Sequence, residues 1–333
     1  VVGSVRTLLG EVPAVTTRPA PADRLGRWGV RFGIRRDSYR VRPGLYAAGS
    51  PDDTAPVLVT ANYKLSFDAL RHSLGTRSAW ILVLDTSGVN VWCAAGKGTF
   101  GTAELVRRVR EAALENVVGH FTLVVPQLGA PGVAAHEVRT ATGFRVVYGP
   151  VRAADLPAFL DNDMRATPEM RRVRFGVRDR LAVSGVELAV VRDPRVLAVA
   201  ATLAVAAAFG VLPWSTVALV LGAGLAAVIA GAFLVPLALP LIPGRAFALK
   251  GALAGAAAAI TLAWAVGPAI DAAGSVALVL GMTSLASFSA MNFTGASTFT
   301  SLSGVLWEMR RAVPLQLAAA VGAVAALVVS AVW

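Results

Sequence analysis

The sequence predicts an α/β Rossmann-like domain followed by an all-α transmembrane bundle of about five helices. Three observations carry that prediction. The 333 residues are 56% hydrophobic and only 15% charged, where a soluble domain carries about 25% charged residues. The missing charge is concentrated: residues 196–333 contain only Arg245, Lys250, Arg310 and Arg311 against Asp271 and Glu308. The remaining 27 of 31 basic and 18 of 20 acidic residues lie in 1–195, where short apolar runs alternate with an amphipathic stretch. This division excludes a purely soluble enzyme, a disordered regulator and a disulfide-stapled secreted domain. Cys93 is the sole cysteine, so no intrachain disulfide can form. Val1 onward does not read as a signal peptide.

The greasy half divides at its few charges, prolines and glycines into spans at about 196–213, 217–241, 246–269, 272–291 and 313–333, each near the twenty residues that cross a hydrocarbon core as a helix. Pro236 and Pro240 should kink or break the end of the second span. Basic residues crowd the approach to the first span (Arg171 to Arg195), the second-to-third connection (Arg245, Lys250) and the fourth-to-fifth (Arg310, Arg311). The alternate connections have none, so the positive-inside rule predicts a multi-pass protein of the inner (cytoplasmic) membrane, its N-terminal half cytoplasmic and Trp333 outside. Trp214, Trp307 and Trp333 fall near the predicted interfaces. The uncharged polar stretch Ser287–Gly304 reads either as close helix packing or as a lining near the cytoplasmic face.

In the soluble half, Val57–Thr60, Trp80–Asp85, Phe121–Val125 and Phe144–Tyr148 are apolar runs of the kind buried parallel strands show. Between the second and third, positions 105, 106, 109, 112 and 113 place the apolar residues of 102–115 on one helical face. Alternation of strand and helix places ligands at the carboxyl ends of the strands. The expected division is a basic segment 1–45, an α/β domain 46–165, a basic juxtamembrane linker 166–195 and the membrane domain 196–333. The basic segment suits anionic phosphates or headgroups, or simply a solvated face. No base-reading element accompanies it, so nucleic acid is not an expected partner.

Beyond the second strand lies Asp85-Thr-Ser-Gly-Val-Asn-Val-Trp-Cys-Ala-Ala-Gly-Lys-Gly-Thr-Phe-Gly-Thr102. A P-loop fails there, because Val91 stands where the first Gly is needed and Gly98 follows Lys97. Gly96-Lys-Gly-Thr-Phe-Gly101 matches G-x-G-x-x-G. However, the stretch 90–95 separates it from the strand, and Pro126 and Gln127 stand where the next strand should end in an acid. Asn90 is a good N-cap for a short helix Val91–Ala95 ended by Gly96. Cys93 then sits in the first turn, where helix amides and Lys97 favour a thiolate. An inert, packed cysteine is the alternative.

Asn90-Val-Trp-Cys-Ala-Ala-Gly-Lys97 resembles the cap-helix signature of the mercury-methylation corrinoid protein family, HgcA. Val59-Thr-Ala-Asn-Tyr-Lys-Leu-Ser-Phe-Asp68 resembles a motif which that family shares with the large subunit of corrinoid iron–sulfur proteins. The resemblance implies a corrinoid (cobalamin, with its cobalt) between the α/β domain and the cap helix. It makes Cys93 the lower axial ligand to cobalt. By position, Thr60, Asn62, Tyr63, Lys64, Ser66 and Asp68 are expected around the corrin, as are Asn90, Val91, Trp92, Ala94, Ala95, Gly96, Lys97, Gly98 and Thr99. The implied activity is a membrane-anchored methyltransferase that moves a methyl group from cobalt to Hg(II), giving methylmercury. Implied partners are a small ferredoxin-like protein with two 4Fe–4S clusters (HgcB-type), a folate-type methyl donor system, Hg(II) itself and membrane lipid. Unlike the relatives, this chain has no cysteine cluster for an iron–sulfur centre. A corrinoid methyl carrier with another acceptor is the nearest rival. A small-solute transporter with a cytoplasmic domain is a further one, weakened by the scarcity of intramembrane charge.

Overall fold

The computed structural model describes residues 1–7, 10–293 and 302–332. They form two units, Val1–Val30 with Ile34–Val173 and Arg31–Gly33 with Arg174–Trp333. The first unit is a layered α/β domain. Its elements are β1 (Gly3–Thr7), β2 (Gly10–Val15), α1 (Pro21–Arg31), β3 (Gly44–Ala48), β4 (Val57–Ala61), α2 (Lys64–Ser73), β5 (Ala79–Leu84), α3 (Val91–Gly96), α4 (Thr102–Glu111), β6 (Thr122–Val125), α5 (Ala135–Thr142), β7 (Arg145–Tyr148) and α6 (Leu156–Asp161).

One seven-stranded sheet runs in the order β1-β2-β3-β5-β4-β6-β7. The four strands expected from sequence are its parallel part, β5-β4-β6-β7, with β4 paired to both β5 and β6. β5 shows why its sequence is apolar throughout. Trp80, Leu82 and Leu84 enter the core on the face covered by α4 and α5, while Ala79, Ile81 and Val83 enter the core under α2 and α6. Successive side chains point to opposite faces, so a strand covered on both sides must be hydrophobic at every position. Each buried Leu, Ile or Val among them stabilises the fold by about 1.5–3 kcal/mol. Because helices lie on both faces, the chain reverses direction of winding between β4 and β6, and a crevice opens at their carboxyl ends.

The boundary expected at residue 45 does not hold. β1 and β2 form an antiparallel hairpin, β2 pairs parallel to β3, and β3 pairs antiparallel to β5. The basic N-terminal segment thus extends the sheet. Its pattern is hard to read because β1 is mostly exposed and only the last residue of β2 is fully buried.

The second unit begins with α7 (Val177–Glu187) and continues through α8 (Pro194–Ala208), α9 (Trp214–Ile229), α10 (Val235–Leu237), α11 (Phe247–Val266), α12 (Ala272–Asn292) and α13 (Leu302–Val332). The expected linker 166–195 therefore contains a helix. Among the described residues, four helical stretches are long and apolar enough to cross a membrane: Trp214–Leu237, Phe247–Ala269, Ala272–Asn292 and Gly304–Ser330. These are four of the five expected spans. The first expected span is the 15-residue α8, which rises only about 22 Å against a core of about 30 Å. The last begins before 313 because Pro314 is accommodated inside α13. Of the polar stretch, residues 294–301 lie outside the described residues.

Pro236 acts as its chemistry requires. It cannot donate to the preceding turn, and a π-helical turn, Ala230–Leu234, joins α9 to the three-residue α10 before the helix stops. Two buried cations serve the freed carbonyls. Arg180 donates to Pro236 O at 3.1 Å and Leu237 O at 2.9 Å, while Lys250 Nζ donates to Leu239 O at 2.8 Å and to Ile242 O. Gly251 and Gly255 let α11 approach α12 so closely that a Cβ on either would press into Ala286 and its neighbours.

Candidate functional site

The segment between β5 and α4 is built on α3. Asn90 is extended (φ −66°, ψ 161°), and its Oδ1 accepts the Cys93 N–H at 2.9 Å. That satisfies one of the free donors of the first turn. Val91, Ala94 and Ala95 are buried and fasten the helix to the core beside Phe100. Trp92 and Cys93 face outward, Trp92 40% exposed. The expected stop at Gly96 is displaced slightly: Gly98 takes the left-handed conformation (φ +79°), and the Thr99 and Phe100 N–H groups both close onto Ala94 O. Gly101 and Gly132 have a packing role. Their backbones pass where a Cβ would strike Gly98 O and Phe100 O respectively, and Thr102 N–H donates to Gly132 O at 3.1 Å. The G-x-G-x-x-G spacing is thus explained by chain crossing.

Asn62 fixes where α3 begins. It is buried at the end of β4. Its Oδ1 accepts from Thr86 N–H at 3.1 Å and Gly88 N–H at 2.9 Å and lies 2.8 Å from the Thr86 hydroxyl. Its Nδ2 donates to Asp85 Oδ1 at 3.0 Å. The intervening Ser87 and Gly88 both have positive φ, 56° and 77°, a conformation that costs a non-glycine residue energy and persists only where surroundings enforce it. Amides so arranged could cradle an anion; here the Asn62 oxygen fills them. Glu104 braces the same loop, accepting the Asp85 N–H at 2.7 Å. Burial opposes ionisation of Glu104, but hydrogen bonds from Arg108, Asp85 and Arg107 outweigh it and hold the carboxyl below its usual range.

At the carboxyl ends of β4, β6 and β7 lies a cavity of about 330 Å³, walled by apolar groups and bordered by the start of α3. Of the expected site residues, Thr60, Ser66, Asn90, Val91 and Trp92 meet in its wall. Cys93 lies on the exposed side of α3, outside that wall. Gly96, Lys97, Gly98 and Thr99 are exposed beyond it, while Ala94 and Ala95 are core residues. Tyr63 is buried ahead of α2. Sequence reasoning missed Ala69 and Leu70 of α2, Pro126 and Leu128 after β6, and Gly149 and Pro150 after β7. The carboxyl-end rule, applied to every parallel strand, would have found the last four.

Lys64 and Asp68 belong to an ion network. Lys64 Nζ lies 2.8 Å from Asp23 and 2.6 Å from Asp68, and Arg71 binds the same two carboxylates at 2.6 and 2.8 Å. For Asp23, burial opposes ionisation, yet hydrogen bonds from Lys64, the Ala20 N–H and Arg71 hold its carboxyl well below the usual range. Burial and the Arg71 charge push the His72 imidazole below its ordinary 6.5. Asp23, Asp68 and His72 have metal-ligand spacing, but two cations already neutralise the carboxylates. The network ties α1 to α2.

Residues 32–160 match the family described as CO dehydrogenase/acetyl-CoA synthase delta subunit. The chain is 37% identical over 131 residues to the acetyl-CoA decarbonylase/synthase complex subunit gamma of Methanopyrus kandleri, covering 38% of this chain and 28% of that protein. Its counterpart from Methanothermobacter thermautotrophicus is 32% identical over 137 residues, 40% of this chain and 30% of that one. The corrinoid/iron-sulfur protein large subunit of Moorella thermoacetica is 27% identical over 122 residues, 36% of this chain and 27% of that one. The chain thus spans under a third of the length of these relatives, and the family match stops before the apolar helices.

Proposed function

We propose that the chain is a membrane-anchored, corrinoid-dependent methyltransferase whose acceptor is Hg(II). The observation that supports it most is a lone outward-facing thiol, Cys93, in the first turn of a helix held rigidly at the carboxyl ends of a parallel sheet, within the stretch that matches the CO dehydrogenase/acetyl-CoA synthase delta subunit family. The residues present fit a broad planar group. Gly96, one turn after Cys93, has nothing within 4 Å of where a Cβ would stand, and neither does Gly98. The side of α3 that carries the sulfur is therefore open.

Bound at this face, a corrinoid would supply a methyl group on cobalt able to leave with its bonding electrons to a soft electrophile. Cys93 would hold cobalt through sulfur, a strong donor, and Asn90 keeps that turn of α3 formed. The Asn62 hub keeps α3 in place while the face is loaded and unloaded. The cavity wall, from Thr60 and Ser66 to Pro150, would take an apolar part of the cofactor and exclude water. Soft Hg(II) suits a sulfur-bearing site as substrate. A 4Fe–4S cluster needs four cysteines, and this sequence has one, so reducing electrons come from a separate iron–sulfur partner. A folate-type system is the proposed methyl source. The apolar helices anchor the domain at the inner membrane. The basic connections orient it to the cytoplasm if α8 and the apolar residues after it complete a first, short crossing.

The test is to reconstitute the full chain with cobalamin and measure bound cobalt, the absorption spectrum and methylmercury formed from Hg(II) with a low-potential reductant. Folded chain that takes up no cobalt refutes the corrinoid assignment. Cobalt bound with methyl passed only to other acceptors would favour the second reading, a corrinoid methyl carrier, which the likeness to a corrinoid/iron-sulfur protein large subunit supports.

A further inference from the structure

We propose that the outer face of α1 is a membrane-surface docking site that takes anionic lipid headgroups; the proposal rests on reading the chain as membrane-spanning. α1 is amphipathic in the opposite sense from an ordinary surface helix. Its one acidic residue faces inward, with Asp23 tied to Lys64 and Arg71, and Val30 anchors its far end at 1% exposure. Outward stand Leu25, 74% exposed, and Trp28, 61% exposed. They are three residues apart and so share a face. The chain then folds back, the Ile34 N–H donating to Gly29 O at 2.8 Å, and Ile34 adds a third exposed apolar side chain. Around them Arg24, Arg35 and Arg36 are exposed, against one exposed acid, Asp37.

Trp and Leu on one face with arginines at its border is the pattern of an interfacial helix. The apolar side chains enter the headgroup boundary while the cations meet lipid phosphates. The three residues after Val30 agree. Arg31–Gly33, which end and follow it, belong to the unit of apolar helices. Phe32 O accepts from Arg192 at 3.1 Å, two residues before α8 begins. Within that unit, Arg31–Gly33 are therefore fastened to the residues that lead into the first apolar helix. A protein partner could cover three apolar side chains, but a rim of three arginines against one acid favours an anionic surface.

The test uses the full chain carrying Cys93→Ser with Leu25→Cys, labelled at position 25 with a fluorophore. It is placed in nanodiscs of phosphatidylcholine with or without phosphatidylglycerol, with brominated acyl chains as quencher. Glu137→Cys on α5 provides a reference probe, and Ile34→Cys an independent second site. The expected result is quenching at 25 and 34 at least about twofold above that at 137 in the phosphatidylglycerol discs. It should fall in phosphatidylcholine alone and at about 0.5 M salt, where surface charges are screened. Equal quenching at all three sites overturns the proposal, and so does quenching indifferent to phosphatidylglycerol. Protection at 25 that grows with protein concentration in detergent would assign the face to a second copy and also overturn it. Chain released from vesicles by alkaline carbonate overturns the membrane-spanning reading together with this proposal. Retained chain with unquenched probes overturns this proposal alone.

Discussion

Cys93 is the chain's one thiol, so replacing it isolates its contribution cleanly. Cys93→Ala should leave the fold intact, because the side chain is exposed. Corrinoid uptake should persist through other contacts, the spectrum should lose its sulfur ligation, and methyl transfer should collapse. An unchanged spectrum with most activity retained would return Cys93 to a passive role. Asn62 should behave differently. Asn62→Ala strands buried donors at Thr86 and Gly88, each lost partner costing about 1–3 kcal/mol. Hydrogen exchange should rise in residues 85–96 while β4, β5 and β6 stay protected. A uniform rise would mean that Asn62 serves only global stability. Sequence placed both residues in the site from motif resemblance. The distinction between an exposed thiol and a buried bracket could not be read there, since it depends on which backbone amides converge on one oxygen.

The cap helix is only six residues long, too short to persist without its attachments. Asn90→Ala should cost about 1 kcal/mol, measurable as a lower denaturation midpoint of the α/β unit; an unaltered midpoint would mean the cap bond contributes nothing. This helix and its cap were legible in sequence because N-cap preference is local. The α11–α12 crossing was not. Gly251→Leu should lower the thermal stability of the detergent-solubilised chain, since the added atoms meet the Ala286 carbonyl and Ala290. Small-residue contacts are what let membrane helices pack closely. Retained stability would show that the crossing can slide apart at little cost.

The ion network that joins α1 to α2 gives the α/β unit an acid-sensitive seam. His72 is held below 6.5 in the folded chain, so on acidification the unfolded chain takes up its proton first. Stability should decline as pH falls from about 6.5. Asp23, also depressed when folded, adds a second decline below about pH 4. His72→Gln should remove the upper part of that dependence and leave the lower; an unaltered profile between neutrality and pH 5 would exclude His72 as its source. For the apolar half, reporters fused after residue 190 and at the C-terminus should fall on opposite sides. Finding both on one side would mean that α8 does not cross.

Sequence alone determined the division into two halves, the four parallel strands, the capped helix and the sites of helix breakage. All of these follow from local pattern: apolar runs, 3.6-residue periodicity, cap chemistry and the missing N–H of proline. Tertiary structure decided what depends on neighbours distant in the chain. It drew the basic N-terminus into the sheet, where backbone pairing with β3 matters more than side-chain pattern. It turned Lys64 inward to Asp23 on α1 and Asp68 inward to Lys64 and Arg71, and it gathered the cavity wall from four separate strand–helix connections. It also turned Leu25 and Trp28 outward, because Asp23 on the opposite face of α1 is held by two cations from α2. Periodicity in α1 shows that two faces exist, but only the packing decides which one meets the protein.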